Sequence, residues 1–541
     1  MPEAAVSPGY GTLTALIVFI LASLWLGALA NRVVRKSSFV KGYFLGNRGL
    51  GAWALALTAT VQSGGTFMGF PSLVYSHGWI VGLWIGSYMM VPLASFCVMG
   101  KRLAQLSRLT GAITVPDLFR QRFGSPALGL TASLFILFYM TSMMIAQFKA
   151  GATVMQIAWP GSGFLSLSED AVFVGGMPTA YYVGLAVFSV TVIGYTLFGG
   201  FLAAVWTDLF QSVMMIIGVV ILFFLAMKAA GGSEAATLAA VKSTGDGFAF
   251  GPGYAADGRQ FLPLTLALSF FFTWVYGGIG SPSALVRVMA CKNTATIRRS
   301  VFLLSVYNSF IYIPLVMICV CGRALIPSLP PGKTDELIPR LAMLTTHDLF
   351  GGELVAGLIL AAPFGAVMAT VSSYLVVIAS GIVRDVYQRF LNPEATPFEL
   401  KRLSYVVMFL VGLVAVGFNI SPVAYLQAVV VFSVTGTSST FVVPAIMLAF
   451  WRRASVPGVL SSMIVGSLTV LALYLVGFTL PDPMIGNITR FRPYFLCGID
   501  PIVWGLATSL LAGVVVSLMT APPPEKLISQ LFDRQEPAHV G

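Results

Sequence analysis

Apolar residues fall in long blocks along this chain rather than in strict alternation. The blocks run to about 20 residues, recur from end to end, and are divided by short polar connections. Twenty residues of α-helix cover about 30 Å, the thickness of a bilayer's hydrocarbon layer. The pattern predicts about thirteen membrane-spanning helices, near residues 11–31, 51–75, 79–99, 128–152, 180–198, 201–228, 262–286, 300–322, 353–380, 402–419, 423–450, 457–478 and 501–519. The longest polar connections are about 30 residues, which leaves no room for a soluble domain. The first block is preceded by Glu3 and has no small-residue cleavage signal, so it reads as a retained helix.

Two blocks are interrupted internally. The first reads Leu57-Thr-Ala-Thr-Val-Gln-Ser-Gly-Gly-Thr-Phe-Met-Gly-Phe-Pro71. The second reads Phe272-Thr-Trp-Val-Tyr-Gly-Gly-Ile-Gly-Ser-Pro282. Each places a glycine pair and then a proline inside a membrane-length run. Both residue types weaken a helix, and hydrocarbon offers no partner for the freed backbone groups. Breaks of this kind survive where they line a cavity or hold an ion, and a matched pair points to a midplane binding site. The pattern places the breaks near Gly64–Gly65 and Gly277–Gly278.

Charge changes the picture by giving it a direction. The 541-residue chain is 57% hydrophobic and 9% charged, with a formal net charge of +11. That excess does not read as a nucleic-acid surface, because the basic residues alternate by connection. Clusters such as Arg32, Arg35, Lys36, Lys41 and Arg48, then Lys101, Arg102, Arg108, Arg120 and Arg122, put 22 of the 31 Lys and Arg on one side. Arg287 counts in this reading as a connection residue of the same side. The positive-inside bias then orients the N-terminus outside and the C-terminus in the cytoplasm.

With that topology the ten spans after the first form two sets of five, 51–228 and 262–450, running in opposite directions and each opening with a broken helix. Residues 1–50 add an N-terminal helix and a cytoplasmic loop. Residues 451–541 add two helices and a short cytoplasmic tail. The fold class is therefore an all-α integral membrane protein with a 5+5 inverted repeat. The three histidines and five cysteines show no metal spacing, and no nucleotide or hydrolase motif is present.

Candidate chemistry concentrates on a few polar residues inside apolar spans. Asp208 lies about 7 residues into the sixth span, roughly 10 Å below the inner surface. A carboxylate at mid-membrane costs about 3 kcal/mol on insertion scales, so it faces a cavity, an ion or a partner. The ninth span carries Ala366, Ala369, Thr370 and Ser373 on one helical face, with Ser372 beside it. Small residues there serve helix packing; beside a broken helix with free carbonyls they also suit a hard monovalent cation. Gln62, Ser63, Gly65 and Thr66 stand at the first break and Trp274, Tyr276 and Gly277 at the second, with Trp84, Tyr88, Gln147 and Gln427 as further polar or aromatic residues in the spans. Lys149, near the outer end of the fourth span, either snorkels to the surface or attracts an anionic solute. Asp208→Asn is expected to leave the fold intact and impair coupling.

These strings resemble the sodium/solute symporter family over roughly residues 40–450. The resemblance is carried by Gly42-Tyr-Phe-Leu-Gly-Asn-Arg48 ahead of a broken helix, by Gly199-Gly-Phe-Leu-Ala-Ala-Val-Trp-Thr-Asp208, and by the Ala366/Thr370 helix. Within that family Leu57-Thr-Ala-Thr60, Ala284-Leu-Val-Arg287, Gly322-Arg-Ala-Leu-Ile-Pro327 and Leu360-Ala-Ala-Pro363 look most like sodium/pantothenate symporters.

The resemblance implies the leucine-transporter fold and sodium-driven import of a small organic solute, such as the carboxylate pantothenate, across the plasma membrane by alternating access. It implies a main sodium site from carbonyls of Ala59, Gln62 and Ala366 with the Thr370 hydroxyl. A second cation site would use Asp208, Ser372 and Ser373. The resemblance also implies a solute site among the residues named at the two breaks and the further polar and aromatic residues of the spans. Family members carry a hydroxyl residue where this chain has Ala369, which removes one ligand and leaves proton coupling open. Partners would be the solute and membrane lipid, with no nucleic acid and no obligatory protein. A solute sensor would need a signalling domain beyond the short tail, and an intramembrane enzyme would need a catalytic pair that the spans do not supply.

Overall fold

The computed structural model describes residues 8–34, 48, 50–59, 63–162, 167, 176–251, 263–329, 332–422, 425–480 and 491–533, and these are built from helices joined by short connections. In chain order the principal helices are α1 (Tyr10–Val34), α2 (Ala52–Ala59), α3 (Phe70–His77), α4 (Gly82–Val91), α5 (Pro126–Ala158), α6 (Thr179–Leu197) and α7 (Ala203–Ala230). After these come α8 (Leu264–Gly280), α9 (Pro282–Met289), α10 (Thr294–Leu325), α11 (Leu337–Thr346), α12 (Gly352–Ser380) and α13 (Pro397–Phe418). The series closes with α14 (Leu426–Phe450), α15 (Val456–Thr479) and α16 (Pro501–Met519).

Starts and stops follow local chemistry. Pro126, Pro282, Pro397 and Pro501 each open a helix, where a missing N–H costs nothing. Thr396 and Glu399 form a reciprocal capping box at the start of α13. The turn between α6 and α7 runs through Gly200 at φ 57°, a conformation that disfavours side chains.

Among the described residues, ten helices are long and apolar enough to cross a membrane, and two further pairs are bent by 92° and 42°. The first bent pair joins Gly65–Val81 to Gly86–Thr110, which the sequence divides between its second and third spans. Polar side chains are turned inward: Thr58, Gln147, Asp208, Gln211, Asn308 and Gln427 are buried, whereas Trp25, Phe224, Phe302 and Leu511 are exposed. That distribution suits a lipid exterior. The Gly352–Leu391 segment is 83% buried and α14 is 89% buried, against 28% for α16, so α12 and α14 form the centre of the bundle and α16 its margin.

The two interruptions differ in form. In the first, α2 is described as far as Ala59, Ser63 is non-helical, and from Gly64 the chain is helical again, with Gly65–Gly69 on a wider π-helical path into α3. The wider turn accommodates Pro71, which has no N–H to give. Glycine is required there by close approach: a Cβ on Gly64 would lie 2.7 Å from Ala150 Cβ, and one on Gly69 would lie 1.8 Å from Gln427 Oε1. The second interruption is displaced from its expected position. Gly277 and Gly278 remain helical within α8, and the break falls at Ser281, with φ −73° and ψ 113°. The residue before a proline is pushed out of the α region, and Pro282 imposes that on Ser281. The glycines do not end the helix, since each weakens it by only about 1 kcal/mol.

Candidate functional site

Both interruptions open on one cavity of about 70 Å³, lined by Ser63 on the first and by Gly277, Gly278, Ser281 and Ser283 on the second. Tyr88, Trp274, Tyr374 and Thr437 contribute to its walls. Tyr88 lies between two rings, with centroids 4.2 Å from Tyr312 and 5.3 Å from Trp274. Tyr312 in turn shares a 3.2 Å hydrogen bond with the Thr66 hydroxyl. Thr66, Tyr312, Tyr88 and Trp274 thus form a continuous aromatic wall from one broken helix to the other.

Two buried carboxamides flank the first break. Gln147, on α5, accepts the Gly64 N–H at 2.7 Å, and its Nε2 has no partner among the described residues. Gln427, on α14, packs over Gly65 and Gly69, and neither its oxygen nor its nitrogen has a hydrogen-bond partner among the described residues. An unsatisfied buried polar group costs about 1–3 kcal/mol. Retaining such groups beside the non-helical Ser63 marks a place for a polar ligand or for water.

Of the other residues named from sequence, Ser63, Thr66 and Trp274 are buried at this site. Tyr276 is half-buried, stacks on Phe272 at 6.1 Å, and is not among the cavity-lining residues. Gln62 and the Trp84 side chain lie outside the described residues. The sequence reading missed Tyr312, Tyr374, Ser281, Ser283 and Thr437. For Tyr312 a signal was present: Asn308 and Tyr312 stand one helical turn apart in an apolar span and so share a polar face.

The small-residue face of α12 is buried throughout. Thr370 Oγ1 donates to the Ala366 carbonyl at 3.0 Å, and Ser372 Oγ donates to the Ala369 carbonyl at 3.0 Å. Ala59 is the last described residue of α2, and Ser212 Oγ, on α7, donates to the Leu57 carbonyl at 2.7 Å.

Asp208, Ser372 and Ser373 come together, but around a positive charge the chain itself supplies. Arg287 Nη2 donates to Asp208 Oδ2 at 2.6 Å and to Ser373 Oγ, while its Nε donates to Thr58 Oγ1 at 3.2 Å. Ser372 Oγ lies 3.4 Å from Asp208 Oδ1. The Arg287 and Asp208 side chains are only 3% and 2% exposed. Arg287 is therefore no connection residue: it ties α9 to α2, α7 and α12. A lone buried carboxylate demands a counter-charge, and the run from Ser283 to Met289 offered one.

Lys149 is likewise buried rather than snorkelling. Its Nζ lies 3.0 Å from Asp335 Oδ2, which also accepts the Leu426 N–H at 2.9 Å.

A solved structure with this architecture is that of a Na+-coupled sialic acid symporter in a substrate-bound outward-open state. It matches at TM-score 0.70 and 19% identity, covering 95% of this chain and 99% of that one. The fold is the leucine-transporter fold with its inverted repeat of five helices. Among curated relatives, the sodium/pantothenate symporter of Escherichia coli is 29% identical over 95% of this chain and 97% of its own length. A sodium/proline symporter of Haemophilus influenzae is 26% identical over 98% of both chains. The model of the sodium:solute symporter family matches residues 43–466, most of the chain, and the protein belongs to that family.

Proposed function

We propose that this chain is a sodium-coupled importer of a small organic carboxylate such as pantothenate, working by alternating access around the cavity between the two broken helices. The observation that carries the reading is the pair of unsatisfied carboxamides, Gln147 and Gln427, beside the first break. The solute would lie against them, with Ser63, Gly65, Thr66, Trp274 and Gly277 around it. Proline is the competing solute, since proline symporters are nearly as similar to this chain as pantothenate symporters are.

The coupling ion would be held by carbonyls of Ala59, Gln62 and Ala366 and by the Thr370 hydroxyl. We infer a single sodium ion. The group that could have held a second one, Asp208 with Ser372 and Ser373, already holds the Arg287 guanidinium. The same pairing speaks against Asp208 as a proton carrier. One sodium ion crossing 100 mV gains about 2.3 kcal/mol, and a tenfold gradient adds about 1.4 kcal/mol. A monovalent anion carried with one sodium ion moves no net charge, so only the gradient would drive it.

In the orientation read from the basic connections, the N-terminus is outside. The Lys149–Asp335 pair then lies on the outer side of the cavity and the Asp208–Arg287 pair on the inner side.

The test is uptake of labelled pantothenate and labelled proline by proteoliposomes with an inward sodium gradient, a proton gradient, or neither. Sodium-dependent accumulation of pantothenate is expected. Accumulation of proline alone would replace the solute, and accumulation driven by protons alone would replace the ion.

A further inference from the structure

The turn Thr334–Glu336 precedes α11 and packs on residues Gly65–Gly69 and on α3. It is fastened there by a 2.5 Å hydrogen bond between the Ser72 and Thr334 hydroxyls. At its centre Asp335 reaches inward with a side chain only 3% exposed. One oxygen, Oδ2, is held at 3.0 Å by the Lys149 ammonium and at 2.9 Å by the N–H of Leu426, the first residue of the 25-residue α14. The other oxygen, Oδ1, is buried without a partner among the described residues.

The sequence neighbours of these two donors are the two open carboxamides. Lys149 follows Gln147 by two positions on α5, and Leu426 directly precedes Gln427 on α14. A carboxylate bridging Lys149 and Leu426 is therefore held by the same two helices that present unsatisfied amides at the first break. An ammonium and a helix N-terminus both favour an anion. The anion now there uses only one of its two oxygens.

We propose that Lys149 and the Leu426 N–H form an entry subsite for the solute's carboxylate, which Asp335 fills in the closed arrangement and yields when the Thr334–Glu336 turn lifts. A free carboxylate can bring polar groups to Gln147 Nε2 and to Gln427, which Asp335 leaves unsatisfied. Lys149 would thereby set the preference for acids over otherwise identical neutral solutes. This inference rests on the carboxylate reading above.

The experiment compares acids with the alcohols that differ from them only in having CH₂OH in place of the carboxylate: pantothenate with panthenol, and proline with prolinol. Sodium-driven uptake is measured for the wild type, Lys149→Gln, Lys149→Arg and Asp335→Asn in proteoliposomes, after each variant is shown to be monodisperse in detergent. The wild type is expected to prefer the acid by at least about tenfold. Lys149→Gln should reduce that preference to within about twofold by raising the half-saturating acid concentration while leaving that of the alcohol unchanged. Lys149→Arg should retain the preference. Asp335→Asn, which removes the resident carboxylate from Lys149, should lower the half-saturating acid concentration.

An unchanged preference in Lys149→Gln overturns the inference and leaves the carboxylate reading standing. Equal loss of acid and alcohol uptake overturns it as well, because Lys149 would then be a structural latch alone. A wild type that transports neither acid overturns the carboxylate reading, and the inference with it.

Discussion

The two buried ion pairs are built to different standards. Around Asp208 and Arg287 both carboxylate oxygens have partners, and the guanidinium reaches side chains from three elements besides its own. Around Lys149 and Asp335 one carboxylate oxygen has no partner among the described residues, and the anion sits on a three-residue turn rather than on a long helix. A fully satisfied buried pair is costly to break, because either partner alone is an uncompensated charge. A half-satisfied pair on a short turn has less to lose. The first pair ties α9 to α2, α7 and α12, and opening is proposed only for the second.

Breaking the first pair should have the largest effect. Arg287→Ala or Asp208→Asn should each destabilise the protein by about 3–5 kcal/mol, read as lost yield and a lower unfolding temperature in detergent. The double variant Asp208→Asn/Arg287→Gln should recover much of the loss, because it removes both charges. The sequence alone predicts that Asp208→Asn keeps the fold, because Asn keeps the size and a hydrogen-bonding oxygen; the pairing with Arg287 reverses that expectation. By contrast, Lys149→Gln and Asp335→Asn should cost less than about half as much in the same assay, the under-satisfied pair being the weaker. Equal losses at the two pairs would remove the distinction between them.

A smaller effect, with opposite signs for stability and transport, is expected between the pairs. Gln427→Leu removes an unsatisfied amide and should leave stability unchanged or raise it by about 1 kcal/mol. It should also raise the half-saturating solute concentration by about tenfold or more. Lower stability in this variant would show that Gln427 is a satisfied structural group.

Smaller again is the effect on α12. Thr370→Ala should raise the sodium concentration for half-maximal uptake by several-fold, on the order of 1 kcal/mol for one lost oxygen ligand, with little change in unfolding temperature. Ala369→Ser should lower it. Unchanged sodium activation in both variants would remove α12 from the ion site.

How far these features were legible depends on whether their cause is local. The helices and the first break were legible, because apolar block length, glycine pairs and Pro71 act within the chain. The second break was displaced to Ser281, since a proline constrains its preceding residue more firmly than two glycines weaken a packed helix. Gln147 and Gln427 were named from sequence as polar residues inside apolar spans, but only packing shows that their amides are unsatisfied. The partner of Asp208 stands 79 positions away and that of Lys149 stands 186 away. Separations of that size leave no periodic trace, so Arg287 passed for a connection residue and Asp335 was not singled out.

The central claim is that Arg287 occupies the place of a second cation, so that one sodium ion accompanies each solute molecule. Its most direct test is the flux ratio of ²²Na⁺ to labelled pantothenate in the same proteoliposomes, with the potential clamped at zero by potassium and valinomycin. The account predicts about one sodium ion per solute molecule, with one of the two plausible cation sites filled by the chain's own guanidinium. A ratio of about two would contradict it, and would mean that sodium displaces Arg287 from Asp208 during transport.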